Sequence, residues 1–408
     1  MNDQKLFTLI VMISFVFFSL AQESSDKQAS PLLFVETGFK TGLVVPNYPN
    51  SPTSNLLSSF DVKVGKFHYD PDNVWAPRSN YPLVGAKFSY THLGNREVLG
   101  NEYRLMPFIE YNTKNNLKRA ISFNMAIGLS YVTEFYDAEQ NPTNYYLGSS
   151  FNWAFELFLN YNLYATNNGL FRLEGGYVHS SNGHVQLPNV GLNYALVGLS
   201  YLHFLNEPSE IHFQDFVKPE KKIKREYFTQ IRGGLGWHEL GGAFGPVGGE
   251  RRNVYDYSFA FGVLSNQTVK YYTGFSYRFY EHFYHYFNET EADLSYFPSN
   301  NPSRYASNVY FFIGAEFLYG HVGFNIEGGL NLYKPFYRTF NDMYIYNSGM
   351  KYFFKRMLNT RMGLKLYMLN ANKMPKNNLF VGANINANFS QADFTDICVG
   401  YVRSIGRK

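Results

Sequence analysis

Residues 179–182 read His-Ser-Ser-Asn, on a segment that alternates between apolar and polar side chains. In steps of two, 171 to 181 gives Phe171, Leu173, Gly175, Tyr177, His179 and Ser181. The other face gives Arg172, Glu174, Gly176, Val178 and Ser180. Side chains alternate across a strand with period two, so His179 and Ser181 share a face, and that face is the apolar one. A serine hydroxyl is a weak nucleophile until a base takes its proton. A histidine two residues away, about 7 Å along the strand by its rise per residue, can be that base. If the apolar stripe faces lipid, the substrate is itself a lipid.

The elements that would carry such a pair recur from end to end. Ile121, Phe123, Met125, Ile127, Leu129 and Tyr131 alternate with Ser122, Asn124, Ala126, Gly128 and Ser130. Phe151 to Tyr161 and Leu379 to Phe389 repeat the pattern. Alternation of this kind predicts strands with one apolar and one polar face. Eight are expected near 32–45, 58–67, 84–92, 103–112, 118–133, 151–164, 170–181 and 192–204. Eight more are expected near 226–237, 253–264, 268–280, 308–319, 321–333, 360–369, 378–389 and 394–403, with a short strand or turn within 343–356. Most reach the 9–11 residues that cross a bilayer at a tilt. Asn, Pro and Gly clusters at 46–55, 70–82, 137–148, 240–252 and 297–307 read as loops.

Composition points the same way. The chain is 19% aromatic, with 39 Phe and 35 Tyr, more than a soluble domain can use. A transmembrane β-barrel places aromatics on its lipid face and in girdles at both interfaces. The negative mean hydropathy fits, because half of each strand points into a polar lumen. The expected fold is therefore all-β, an antiparallel transmembrane β-barrel. A sheet that spans lipid must close, since its backbone groups cannot go unpaired there. Sixteen strands in one barrel is the expected arrangement; two eight-stranded barrels is the alternative.

The first residues carry a charge at Lys5, then an uncharged run from Leu6 to Ala21 with Ser19 and Ala21 at the −3 and −1 positions of a cleavage site. Residues 1–21 read as a secretory signal peptide. The expected organisation is then 22–206 as the region carrying the His-x-Ser-Asn pattern, 207–225 as a polar linker with Pro208 and Pro219, and 226–408 as a second strand-rich half. The single cysteine, Cys398, excludes an internal disulfide framework. A net charge of +4 does not argue for nucleic acid, and Lys221 to Arg225 is flanked by Glu220 and Glu226 as a solvated turn would be. Phe67 follows Gly65-Lys66 where a P-loop needs Ser or Thr.

From His179 the chain continues His-Ser-Ser-Asn-Gly-His-Val-Gln-Leu-Pro-Asn-Val-Gly-Leu-Asn to Asn193. This H-x-S-N, followed by P-N-x-G at Pro188 to Gly191 and then a strand, resembles the outer-membrane lipid A 3-O-deacylases of the PagL type. The resemblance covers roughly 32–206, and the chain looks most similar to the longer acyloxyacyl hydrolases of Bacteroidetes-type bacteria. It implies a serine esterase on the outer wall of a barrel, in the cell outer membrane of a Gram-negative bacterium. The substrate would be lipid A, the acylated anchor of lipopolysaccharide, and no metal or other cofactor would be needed. By the same resemblance Ser181 is the nucleophile and His179 its general base. Asn182 and Asn189 match positions that help form the oxyanion hole, with Gly183 letting the backbone bend behind them.

The pattern departs from the family at its third catalytic member, where an acidic residue is replaced by Asn193. Parity puts Asn193 on the face of Ala195, Val197, Leu199 and Tyr201, so it reaches the same apolar side. It can orient the imidazole but lends it no charge. Glu174 and Glu156 are expected on the lumen side, which makes them poor substitutes. Elsewhere, His282 and His285 lie in an aromatic run without a second pair of ligands, which suits an interfacial girdle better than a metal site. His184 and the pairs Arg251-Arg252 and Lys221-Lys222 are candidates for a phosphate of the head group, or plain loop residues. A non-enzymatic pore or scaffold that kept the fold is the competing reading of the whole chain.

Overall fold

The computed structural model describes residues 32–67, 80–113, 119–205, 225–289, 301–389 and 391–407. The signal peptide expected over 1–21 lies outside these residues, as does all of the expected 207–225 linker except Arg225. All sixteen expected spanning strands form. The first eight are β1 (Leu32–Val44), β2 (Leu57–Phe67), β3 (Leu83–His92), β4 (Asn101–Asn112), β5 (Ile121–Val132), β6 (Phe151–Ala165), β7 (Gly169–Ser181) and β8 (Leu192–Phe204). The second eight are β9 (Arg225–Glu239), β10 (Arg251–Ser265), β11 (Val269–Tyr280), β12 (Ser307–Tyr319), β13 (Val322–Tyr333), β14 (Leu358–Tyr367), β15 (Asn377–Asn388) and β16 (Gln391–Arg407). No helix among the described residues is long and apolar enough to cross a membrane.

The expected single sixteen-stranded barrel is not what forms. The strands close into two antiparallel eight-stranded barrels, β1 to β8 and β9 to β16. β8 returns to β1, from Phe34 opposite Phe204 to Val44 opposite Tyr194. β16 returns to β9, with Thr395 opposite Trp237. The physical reason is visible in the first lumen. An eight-stranded barrel is just wide enough for side chains to fill. Here long charged side chains meet partners on strands that are not neighbours. Lys63 of β2 reaches Glu174 of β7 at 2.7 Å. Lys87 of β3 reaches Glu156 of β6 at 2.5 Å. Arg104 of β4 reaches the same Glu156 at 2.9 Å, and Arg172 of β7 pairs with Glu110 of β4. All of these side chains are buried. A sixteen-stranded lumen would hold these charges apart in water.

The second barrel is filled in the same way. Arg232 of β9 meets Glu327 of β13 at 2.7 Å. Arg361 of β14 meets Asp256 of β10 at 3.0 Å and Asp396 of β16 at 2.8 Å. Two segments of this half differ from the sequence reading. The aromatic run after β11 is a helix, α1 (Glu281–Glu289), followed by the short α2 (Pro302–Tyr305). Its Phe283 is buried and stacks on Phe336 with ring centroids 4.1 Å apart, so it packs inward instead of forming a girdle. The strand or turn expected within 343–356 is helical: α3 (Phe336–Phe340), a π-helical turn (Asn341–Ile345) and α4 (Gly349–Met357).

Outside, the strand faces carry Phe39, Phe88, Leu159, Leu173, Val197 and Leu199 in the first barrel and Phe259, Phe275, Ile313 and Val399 in the second, all exposed. So much exposed apolar surface is an interaction face, and on closed barrels it is the face that meets lipid. By contacts, the described residues of 29–221 group with 239–251 in one unit, and those of 222–238 with 252–408 in another.

The paired lumen predicts an asymmetric cost of mutation. Removing one member of a buried ion pair leaves its partner's charge uncompensated, at a cost of about 3–5 kcal/mol. Glu174 accepts from both Lys40 (2.6 Å) and Lys63 (2.7 Å). Glu174→Gln should therefore lower the stability of the first barrel by that amount in guanidinium unfolding of the detergent-solubilised protein. An unchanged midpoint would mean that the network does not hold the barrel.

Candidate active site

β7 delivers His179 and Ser181 at its end, and the pleat decides where they point. Arg172, Glu174, Val178 and Ser180 are buried toward the lumen, whereas Phe171, Leu173 and Tyr177 are exposed. His179 is half-buried on that outward face. On β8, Ala195, Val197 and Leu199 are exposed on the outward side that Asn193 shares. Register then brings the third residue in: His179 lies directly opposite Asn193. On the other flank Ser181 is opposite Trp153 and His179 opposite Phe155.

Three polar side chains meet at Asn193. Its Oδ1 lies 2.7 Å from His179 Nδ1. The same oxygen accepts from the Tyr177 hydroxyl at 2.5 Å. Its Nδ2 donates to the Gly191 carbonyl at 3.3 Å. With the amide held in this sense, only a protonated Nδ1 completes the contact. The imidazole therefore carries its proton on Nδ1 and leaves Nε2 bare, as a general base requires. Tyr177 is a member of this group that sequence reasoning did not single out. Its signal was present, since it sits two residues before His179 on the same face, but its partner becomes visible only with the β7–β8 register.

Ser181 belongs to a second cluster, in the 182–191 loop. Its Oγ receives the Asn189 side-chain amide at 2.9 Å and the Gly183 backbone N–H at 3.2 Å. Asn189 Oδ1 in turn accepts the Asn182 backbone N–H at 3.1 Å, which turns the Asn189 Nδ2 toward the serine. The Asn182 side chain is turned elsewhere, donating to Ser149 Oγ at 3.1 Å and to the Gln186 carbonyl at 2.7 Å. Ser181, Asn182 and Asn189 are all buried. In this resting arrangement the hydroxyl's partners are Asn189 and Gly183, not His179. Catalytic hydrogen bonds often tighten only once substrate is bound.

Two glycines permit the loop. Gly183 turns the chain out of β7 with φ +67°, a left-handed conformation that costs glycine nothing. Gly191 has φ +88°, and a Cβ there would lie 2.7 Å from His179 Cε1. The end of the loop is fastened to the barrel by Val190 N–H to the Tyr145 carbonyl (3.1 Å), by Gly191 N–H to the Tyr146 carbonyl (2.9 Å) and by Asn47 Nδ2 to the Gly191 carbonyl (2.8 Å).

The other candidates resolve structurally. His184 is buried, with its Nε2 on the Gly241 carbonyl at 3.0 Å, so it faces protein and not a head group. Arg251 donates to Gln186 Oε1 at 2.5 Å. Glu174 and Glu156 point into the lumen as parity required, each committed to buried cations. Buried His282 donates to the His238 carbonyl at 2.8 Å. Among the described residues no group of three His, Cys, Asp or Glu side chains could hold a metal ion.

Residues 64–202 match the model of the family described as lipid A 3-O-deacylase (PagL). The matched residues run from β2 to β8 of the first barrel. The match takes in His179, Ser181, Asn182, Gly183, Asn189 and Asn193, and stops before β9. Among solved structures, the crystal structure of the outer membrane enzyme PagL is 14% identical, covering 41% of this chain and 98% of that one at a TM-score of 0.30. CdiB from Acinetobacter baumannii is 9% identical, covering 92% of this chain and 60% of that one at 0.17. The NanC porin is 7% identical, covering 91% and 100% at 0.16. No curated protein matches the chain.

The contact between Gly191 and the His179 imidazole can be tested directly. Gly191→Ala adds a Cβ where the ring now stands, so His179 must move away from Asn193. In proton NMR of the detergent-solubilised protein labelled with ¹⁵N-histidine, the hydrogen-bonded Nδ1 proton of His179 should shift or disappear. An unchanged resonance would show that the ring is not confined there.

Proposed function

We propose that the chain is an outer-membrane serine esterase that hydrolyses an acyl ester of lipid A. The observation that carries this reading is the 2.7 Å contact of His179 Nδ1 with Asn193 Oδ1 on the outward, apolar face, inside the region that matches the deacylase family. Ser181 stands two residues on. A lipid in the surrounding leaflet reaches the site without leaving the membrane, and its acyl chains meet Trp153, Phe155, Tyr177 and Leu199 on the same wall.

The reaction then runs as acyl transfer. Nε2 of His179 takes the Ser181 proton as Oγ attacks the ester carbonyl. The negative charge that develops on the carbonyl oxygen is met by N–H donors already placed around Ser181, the Asn189 Nδ2 and the Gly183 amide. One such donor is worth about 10²–10³ in rate in a serine protease. His179 returns the proton to the departing sugar oxygen, leaving an acyl-serine. Water, deprotonated by His179, attacks this ester and releases the fatty acid. Each proton taken is returned, and no metal or cofactor enters.

Asn193 works through geometry. An Asp→Asn change in a serine triad costs about 10⁴ in rate by favouring the wrong imidazole tautomer. Here Tyr177 donates to Oδ1 and keeps that oxygen on Nδ1, so the tautomer is the productive one. What the amide lacks is a charge to stabilise the imidazolium. A scaffold without activity remains the second reading, favoured by this missing acid and by the resting Ser181 hydroxyl's bonds to Asn189 and Gly183.

Lipid A from cells with and without the gene, compared by mass spectrometry, decides between them. The gene should remove one acyl chain, and Ser181→Ala should behave as the deletion; identical spectra throughout would sink the esterase. A finer test concerns the tautomer. Tyr177→Phe frees the Asn193 amide to turn over and should lower kcat on a p-nitrophenyl acyl ester by about 10- to 100-fold, within the range of a lost orienting contact. Asn193→Glu should raise kcat by about tenfold, the worth of roughly 1.4 kcal/mol of imidazolium stabilisation. In that background Tyr177→Phe should cost far less, because a carboxylate presents oxygen whichever way it turns. Equal losses in both backgrounds would refute the orienting role of Tyr177.

A further inference from the structure

Residues 239–251 run from the last residue of β9 to the first of β10, outside the region matched to the family, yet they group by contacts with the first barrel. They meet the 182–191 loop through a ladder of hydrogen bonds. Glu239 Oε2 accepts the Leu187 N–H at 2.7 Å, and its Oε1 accepts the Gly249 N–H at 2.7 Å. The Glu239 N–H donates to the His184 carbonyl at 3.1 Å. His184 Nε2 donates to the Gly241 carbonyl at 3.0 Å. The Asn189 N–H donates to the Ala243 carbonyl at 2.8 Å. Glu239, His184, Leu187 and Asn189 are all buried.

A carboxylate that accepts two backbone N–H groups away from water makes charge-assisted bonds, stronger than neutral ones. This one fixes Leu187, two residues before the Asn189 whose amide rests on Ser181 Oγ. We propose that Glu239 is a positioning residue for the serine: it clamps 187–189 so that Asn189 holds its donor where the oxyanion forms. This rests on the esterase reading above, and it gives the chain beyond β8 a part in the site. The family-matched segment would supply every group that touches substrate, and the 239–251 segment would hold them in place. Replacing Glu239 by Gln leaves one acceptor oxygen for two N–H donors and turns an NH2 toward one of them. The loop then has to move to satisfy the buried amide.

The test uses the purified full-length protein in detergent, with wild type, Ser181→Ala, Glu239→Gln and Gly249→Pro. The last variant lies on an exposed turn and removes the N–H on Oε1, with its added Cβ 3.3 Å from Glu239 Cγ. Hydrolysis of a p-nitrophenyl acyl ester gives kcat and KM, and labelling by a fluorophosphonate reports attack by Ser181. Folding is followed by heat-modifiable mobility on gels. For Glu239→Gln we expect kcat and the labelling rate to fall about tenfold, the effect of one misplaced oxyanion donor at its low end. KM should stay within about twofold and the barrel should stay folded; Gly249→Pro should show a smaller fall of the same kind. Unchanged kcat in a folded Glu239→Gln overturns the inference, and so does a loss of activity that only tracks the loss of folded protein. If Glu239→Gln does not fold, Gly249→Pro decides alone, and wild-type kcat in it overturns the proposal. A wild type no more active than Ser181→Ala refutes the esterase reading itself, and this inference with it.

Discussion

A strand surrounded by hydrocarbon must give every backbone N–H and C=O to a neighbouring strand, because nothing else there can accept or donate. Closure of the sheet is therefore the constraint from which the rest of this structure follows. In the first half it is met after eight strands, when β8 pairs with β1. That number fixes the lumen's width, and the width fixes what fills it. Inward positions carry Lys, Arg, Glu and Asp that would be prohibitively costly to bury alone. At eight-strand spacing they lie within ion-pair distance across the lumen, as Lys63 does of Glu174. The same pleat sends the alternate positions outward, where they are apolar.

The chemistry inherits this alternation. A slip of one residue in the β7 register would turn every side chain of the strand to the other face. His179 would then enter the charged lumen and Ser180 would face outward in place of Ser181. The lumen ion pairs lock the register that keeps the histidine on the wall. Ser180 illustrates the separation: it is buried and donates to Glu102 at 2.5 Å, one residue from a hydroxyl held by a wholly different set of partners. The strand thus positions His179, and the loop after it positions the donors around Ser181. The two clusters, His179 with Asn193 and Ser181 with Asn189, are built by different parts of the chain.

Much of this was legible in the sequence, because period two is a strong signal and the strand faces here are unmixed. All sixteen strands and the side on which His179, Ser181 and Asn193 lie follow from parity. The count of strands was not enough to choose between one barrel and two, since sixteen closes either way. The choice depends on pairing across the lumen, between residues such as Arg172 and Glu110 that are far apart in sequence. The helices α1 and α4 escaped because their aromatic content reads as strand or girdle. The packing of α1 on α3, through Phe283 and Phe336, is visible only in three dimensions. Tyr177 had the right parity, but its hydroxyl's partner lies on the next strand. Glu239 had no local signal at all, because what recruits it is the backbone of Leu187.

Asn193 poses the question of why a lipid-facing site would do without an acid. A carboxylate on the outer wall carries a desolvation cost that an amide avoids, and that cost grows with depth in the membrane. A carboxylate buried in the lumen instead, like Glu156, finds Lys87 and Arg104. On the outward face around residue 193 the side chains beside His179 are Tyr177, Ala195 and Val197, and none of them carries a charge. A neutral orienter suits that surface, provided something decides which end of the amide meets the imidazole. Tyr177 supplies the decision with one hydroxyl proton on Oδ1, and the Gly191 carbonyl supports it from the other end through Nδ2. In the proposed mechanism the arrangement exchanges electrostatic support of the imidazolium for a site that carries no charge at rest. On this argument the geometry of the amide, more than its acidity, is what the wall of the barrel has to preserve.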